Sequence, residues 1–368
     1  MTELIRTVVT IFLFFGILGV LVVIHELGHF IVAKLFRVRV LEFGIGFPPR
    51  ARVLRDVGET VYTLNWLPIG GFVKLEGEDG EDADDPRSFS AQGLTRKILI
   101  LVAGVVMNVA LAAAIFTGIA LTGDPAIGVY VPYVEPGSPA EAAGIRVGDV
   151  IERVDGQAYG AFGPGSVLGV LHDSAGRTVA LTVRRSDEIV AITATLRTPQ
   201  EVSAGKGALG VGKLGTLPLE PRSTPDRIQY PVAVALGLGL DRTASAMRLI
   251  VDGVGQLATA IVTNPTEPPP ASGPIGIATQ IGDIFWTLGP IVTLYLAGIL
   301  SANLAVVNIL PFPPLDGGRI LILILKRLAG SRLSLRMERL TYVVGFAVLL
   351  LFLVWVTGFD IARGLAGG

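Results

Sequence analysis

His25, Glu26 and His29 lie within "VVIHELGHFIVA" (residues 22–33), a stretch otherwise made of apolar side chains and glycine. Ionisable groups in an apolar helix cost free energy and are kept there when paired or functional. Residues i and i+4 of a helix share a face, so both imidazoles of this H-E-x-x-H pattern can reach one metal ion. Zinc suits such ligands. Glu26 is then placed to take a proton from water at the ion instead of ligating it, which is the arrangement of metalloproteases.

A catalytic zinc takes three protein ligands and keeps one position open. The chain has three histidines and no cysteine, and the remaining histidine, His172 in "LHDSAG", reads as a surface-loop residue. A carboxylate is therefore expected as the third ligand. Within the two C-terminal apolar runs, between their flanking charges, the one acidic residue is Asp316 in "PFPPLDGG" (311–318), which could otherwise pair with nearby Arg319 or cap a helix. His29 lies five residues before Lys34 and Asp316 ten before Lys326, which puts both at similar depth near the same membrane face. An anionic tetrahedral intermediate also needs a hydrogen-bond donor. Asn108, Asn303 and Asn308 are the polar candidates, although each amide could instead cross-link helices.

The elements that must position these residues are membrane helices. Of 368 residues, 51% are hydrophobic and 17% charged, a composition unusual for a water-soluble domain. The absence of cysteine excludes disulfides, thiolate zinc sites, iron–sulfur clusters and cysteine nucleophiles. A net charge of −1 offers no bulk attraction to nucleic acid. Four apolar runs are long enough for the roughly 20 helical residues of a span: 7–36, 98–121, 284–325 and 340–359. The first lacks a small-residue cleavage site and is expected to be retained. The third is broken by the prolines and glycines of 311–318; irregular backbone at membrane depth is tolerated where it is buried in protein or lines a wet cavity.

Lysine and arginine in short loops set orientation. Nine lie in residues 37–97 and five in 326–339, so both loops are expected on the cytoplasmic side, with the termini and residues 122–283 opposite. Residues 37–75 suggest a hairpin turning at Asp56-Val57-Gly58, followed by a third strand near Gly71–Leu75, which either packs on the membrane surface or offers an edge to an extended substrate. "EGEDGEDADDPRS" (76–88) reads as a solvated acidic linker. Residues 123–200 form a compact β-rich unit, with strands in "VYVPYV", "TVALTVRR" and "IVAITATL". Residues 228–262 carry apolar positions at helical spacing, from Met247 to Ile261, and read as an amphipathic helix at the interface. A proline-rich linker, 264–274, follows.

Taken together, "HELGH", "NILPFPPLDGGR" (308–319), "AGVVMN" (103–108), "PIGGFVKLEGE" (68–78), a GFGIG-like element in the same loop and "SGPIGIA" (272–278) resemble the site-2 proteases, zinc metalloproteases that cleave within membranes. The similarity covers nearly the whole chain, and the pairing of H-E-x-x-H with N-x-x-P-x-P-x-L-D-G is its most specific part. The outside unit, through "GSPAEAAGIRVGDVIERVDG", looks like the circularly permuted PDZ domain of the bacterial RseP-like branch, present here once. The resemblance implies a polytopic α-helical membrane protein with about four spans, a small membrane-associated β-sheet and an inserted PDZ domain. Its boundaries would be 1–36 (first span), 37–97 (β region and acidic linker), 98–122 (second span) and 123–200 (PDZ). They continue with 201–283 (PDZ extension, amphipathic helix and linker), 284–327 (broken third span), 328–339 (loop) and 340–368 (fourth span and tail).

The resemblance also implies residence in the plasma membrane, a PDZ domain outside the cytoplasm and one catalytic zinc ion. The substrates implied are single-pass membrane proteins such as anti-sigma factors, with a peptide ligand in the PDZ groove and no nucleic acid. Asn303 would help hold an unwound substrate helix, and Gly70 and Gly71 would belong to a substrate-pairing β element. Valine replaces the proline that the family carries in "AGVVMN", ahead of Asn108. Two other readings remain: a non-catalytic PDZ scaffold and a metal transporter. The complete H-E-x-x-H with Asp316 weighs against the first, Glu26 and the outside domain against the second.

Overall fold

The computed structural model describes the chain apart from residues 1, 79–83, 160–166, 187, 212–220, 264–267, 270, 330–334 and 367–368. It divides into two compact units, one made of Met1–Phe116, Gly239–Trp286 and Thr293–Gly368, the other of Thr117–Leu238 and Thr287–Val292. Parts of the acidic linker, the proline-rich linker and the 328–339 loop lie outside the described residues.

The first unit begins with α1 (Thr2–Leu35), apolar nearly throughout. β1 (Val40–Val57) and β2 (Thr60–Leu75) follow as an antiparallel hairpin whose turn contains Gly58 at φ +67°, a left-handed conformation that glycine adopts without strain. The expected third strand is the far end of β2. Residues 42–45 of β1 have neighbours on both sides, Val61–Leu64 and Gly71–Lys74, so residues 71–75 form an edge of a curled sheet. The described ends of the acidic segment are not simply solvated: Arg39 pairs with Glu76 and Asp85, and Arg87 with Glu59. α2 (Leu94–Thr122) comes next, and Ala33, Val38, Val40, Leu75, Phe89, Ile100 and Leu101 form one buried cluster at this end of the unit.

The second unit holds β3 (Asp124–Tyr130), α3 (Pro139–Ala142), β4 (Val150–Val154), β5 (Gln157–Ala158) and α4 (Val167–Asp173). β6 (Thr178–Arg185), β7 (Glu188–Thr195), α5 (Pro199–Ser203) and β8 (Pro221–Ile228) complete it. Its sheet has the order β7-β6-β4-β3-β8, with β5 paired to β4. "TVALTVRR" is β6 and "IVAITATL" is β7 within a residue. "VYVPYV" overlaps the end of β3, after which Val134 bridges to Val211. Alternation along β6 and β7 sends Val179, Leu181, Val183, Ile192 and Ala194 into a core shared with Ile151, Leu171 and Leu209.

α6 (Val232–Thr263) is one unbroken helix of 32 residues, followed by α7 (Pro274–Leu288), α8 (Pro290–Asn308), α9 (Asp316–Ala329) and α10 (Leu335–Ala366). Among the described residues five helices are long and apolar enough to cross a bilayer: α1, α2, α6, α8 and α10. The one beyond the four expected is α6, whose short fully apolar portion suggests an interfacial helix and whose full length and composition suffice for a span. The third apolar run also starts later than residue 284, because Gly289 (φ +86°) and Pro290 end α7 and begin α8. Between α8 and α9 the prolines at 311, 313 and 314 supply no backbone donors, so the helix cannot continue, and Asp316 opens the next one.

Candidate metal centre

α1 presents His25 and His29 one turn apart, and the break before α9 delivers Asp316 to the same point. His25 Nε2 lies 3.2 Å from His29 Nε2 and 3.0 Å from Asp316 Oδ2; His29 Nε2 lies 3.4 Å from the same oxygen. The three side chains are 6%, 10% and 14% exposed. Zinc bonds of about 2.0–2.1 Å in tetrahedral geometry require ligand atoms about 3.3–3.4 Å apart. The three atoms are thus already close to the face of a zinc tetrahedron. Among the described residues this is the one group of three histidine, cysteine or acidic residues whose ligand atoms lie within 4.8 Å of one another.

The far ring nitrogens are held as metal ligands need them. His29 Nδ1 is 2.8 Å from the carbonyl of Ile100, so it donates there and leaves Nε2 its lone pair. His25 Nδ1 faces the Asn108 amide at 3.2 Å, and Asn108 Oδ1 is buried without a hydrogen-bond partner. With the amide's oxygen turned toward the ring, Oδ1 accepts the Nδ1 proton and the orphaned acceptor is satisfied. This arrangement again frees Nε2 for a metal. Ser301 Oγ donates to the Asn108 carbonyl at 2.8 Å and ties α8 to α2 at this level.

Glu26, on the same turn of α1, accepts a hydrogen bond from Val73 N–H at 3.1 Å. The edge strand thus holds its carboxylate. Gly71 lies on that edge, where an added Cβ would come 2.9 Å from the Gly44 carbonyl and 3.8 Å from Glu26 Cγ; Gly70 adopts φ +78°. Asn308 Nδ2 stands 3.4 Å from His25 Nε2, facing the ligand set. Asn303 lines a different cavity of about 330 Å³, walled by Ile250, Val254 and Leu257 of α6 and by Phe352 and Val356 of α10. His172 is 69% exposed beside Asp173, away from any metal-ligating cluster among the described residues; it is at the surface as expected, but in the last turn of α4 and not in a loop.

Gly104 was not among the residues singled out by sequence, and it decides whether the site can form. A Cβ there would lie 2.6 Å from His29 Nε2 and 2.7 Å from His25 Cε1. Only hydrogen fits between α2 and the imidazoles. Its place in the sequence is the glycine of "AGVVMN", a residue type that carries no chemical signal of its own.

The model of peptidase family M50 matches residues 13–352. The chain belongs to this family, the site-2 proteases. A candidate zinc metalloprotease of Clostridium perfringens is 34% identical, the alignment covering 93% of this chain and 95% of the relative. The zinc metalloprotease RasP of Geobacillus kaustophilus is 26% identical over 98% and 99% of the two chains, and that of Oceanobacillus iheyensis 25% identical over 96% and 99%. This M50 peptidase is therefore a zinc metalloprotease, and its long apolar helices make it a multi-pass membrane protein.

Proposed function

We propose that this M50 peptidase is an intramembrane endopeptidase that cleaves the transmembrane segment of single-pass membrane proteins, anti-sigma factors among them. The observation that carries the reading is the convergence of His25, His29 and Asp316 with Glu26 beside them, inside helices that are otherwise apolar. Those three side chains would hold the zinc ion through Nε2, Nε2 and Oδ2. Zinc, when bound, polarises the scissile carbonyl and activates a water for attack. Glu26 takes the proton from that water and delivers it to the leaving amine nitrogen. Asn308 donates to the oxygen on which negative charge develops, and Asn108 fixes the tautomer of His25.

A substrate helix has its backbone groups internally satisfied, so a carbonyl cannot be attacked until the helix unwinds. Gly71, close to Glu26, and its neighbour Gly70, close to Val22, are read as the part of the sheet against which the extended segment lies. Asn303, in an apolar cavity, is placed to hold the unwound segment farther along. The distribution of lysine and arginine supports an active site on the cytoplasmic side and the β-rich unit on the other. That unit is read as a PDZ domain: a groove of about 320 Å³ runs between α4 and residues 205–211, with Lys206 at its border and Leu168, Leu171 and Leu209 in its wall. An extended peptide with an anionic end suits it.

The test is Glu26→Gln in the full-length chain with a reporter transmembrane segment. Cleavage should vanish while zinc remains bound at one equivalent. Retained cleavage would overturn the mechanism, and a peptide-binding scaffold or a zinc carrier would be indifferent to the substitution.

A further inference from the structure

The edge formed by residues 71–75 turns its outward N–H groups to carboxylates rather than to another strand. Val73 donates to Glu26 Oε2 at 3.1 Å and Leu75 to Glu78 Oε2 at 3.3 Å. The other oxygen of Glu78 forms an ion pair with Arg319 Nη1. Arg319 lies on α9, three residues beyond Asp316, its backbone N–H making the first-turn bond to Leu315 and its guanidinium lying 5.8 Å above the ring of Tyr342. One chain of contacts thus runs from the carboxylate of Glu26, through the edge strand and Glu78, to the helix that carries Asp316.

This ion pair, between the turn after β2 and α9, is only partly buried, with side chains 34% and 20% exposed, and such a pair is weak support for stability; its best-attested use is to fix register. The charge-assisted contact from a rigid guanidinium is geometrically specific in a way a lysine contact is not. Sliding α9 by one residue would break it and would carry Asp316 about 1.5 Å along the helix axis. We infer that Arg319 and Glu78 form a positioning pair, which locks α9 against β2 so that Asp316 and Glu26 keep a working separation around the metal centre. Neither residue touches substrate or metal. The inference rests on Glu26 as proton acceptor and Asp316 as ligand.

The test uses the full-length chain in detergent or liposomes with the reporter segment. Arg319→Gln and Glu78→Gln should each lower kcat about 30-fold, of the order expected from an ångström-scale misplacement, with KM within about threefold of the parent. Amide exchange at Val73 should speed up, and the visible absorption of the cobalt-substituted enzyme should shift. The exchanged pair, Glu78→Arg with Arg319→Glu, should recover at least about tenfold of the lost kcat. Arg319→Lys, which keeps the charge, guards against a folding failure and should fall between parent and Arg319→Gln. Arg87→Gln, in an exposed ion pair of the same loop, should leave kcat unchanged. Parent-like kcat in Arg319→Gln, or a loss that follows the thermal midpoint and does not recover in the exchanged pair, would overturn the inference. If Glu26→Gln is inactive while Arg319→Gln is not, this inference fails alone; cleavage by Glu26→Gln would instead remove the reading beneath it.

Discussion

The carboxylate of Asp316 stands 3.0 Å from Nε2 of His25, although 291 positions separate the two residues. Nothing local to either residue enforces that distance. It results from a helix stopped by prolines and restarted at Asp316, whose following glycine is packed so tightly that a Cβ at Gly317 would lie 2.1 Å from the Ile309 carbonyl. Asp316 supplies the one carboxylate oxygen of the three ligand atoms that face one another. Asp316→Asn should therefore weaken zinc binding by more than the roughly 10–100-fold that loss of an outer partner costs. Competition with a chromophoric chelator measures this, and parent-like affinity would remove Asp316 from the ligand set.

Asn108 tests a smaller effect at the same candidate site. Its amide is buried against His25 Nδ1, so Asn108→Leu leaves the ring's outer nitrogen without a partner and its tautomer unselected. Zinc affinity is expected to drop about 10–100-fold. Asn108→Asp, which keeps an acceptor in place, should retain parent affinity or exceed it. Equal affinities for all three proteins would show that the amide has no hold on the imidazole.

Gly104 allows a sharper steric test. Gly104→Ala forces a methyl group to within 2.6 Å of His29 Nε2 and 2.7 Å of His25 Cε1, so either the imidazoles rotate away or α2 retreats. Both outcomes dismantle the ligand triangle. Gly118→Ala on the same helix meets nothing within 4 Å and serves as its control. Zinc content after dialysis against a weak chelator should be near zero for the first variant and one equivalent for the second. Full occupancy in Gly104→Ala would mean the helices separate more readily than their packing implies.

These residues also mark what could be read from sequence. His25, Glu26, His29 and Asp316 stood out because ionisable groups are costly among apolar residues, a contrast that survives without coordinates. Gly104 was silent because its contribution is the absence of a side chain. Arg319 and Glu78 were hidden for another reason: 241 positions separate them, and Glu78 sat in a segment whose acidity resembled plain solvation. Ending the last apolar run at Phe359 also concealed Asp360, which lies in α10 with its side chain 2% exposed and accepts hydrogen bonds from the N–H groups of Gly273 and Gly276 near the start of α7. That carboxylate caps a helix instead of joining the cluster of His25, His29 and Asp316. The sequence of α6 reads as interfacial because its fully apolar portion is short, while the structure makes it one helix of 32 residues, long enough to span a bilayer.

Asn308 tests the chemistry apart from metal binding. Its Nδ2 lies 3.4 Å from His25 Nε2, close enough to meet an oxygen that approaches the ligand triangle but not needed to build it. A donor aimed at developing negative charge acts mainly in the transition state, so its loss should lower kcat and leave KM nearly unchanged. Asn308→Leu, close in volume and without a donor, is expected to lose about 100–1,000-fold in kcat, the range for removal of one such donor, while zinc affinity stays within about threefold. Asn303→Leu alters an apolar cavity distant from the ligands and should act on KM instead. If the two substitutions give the same split between kcat and KM, Asn308 is not the donor, and the stabilising group must come from the backbone of the edge strand that holds Glu26.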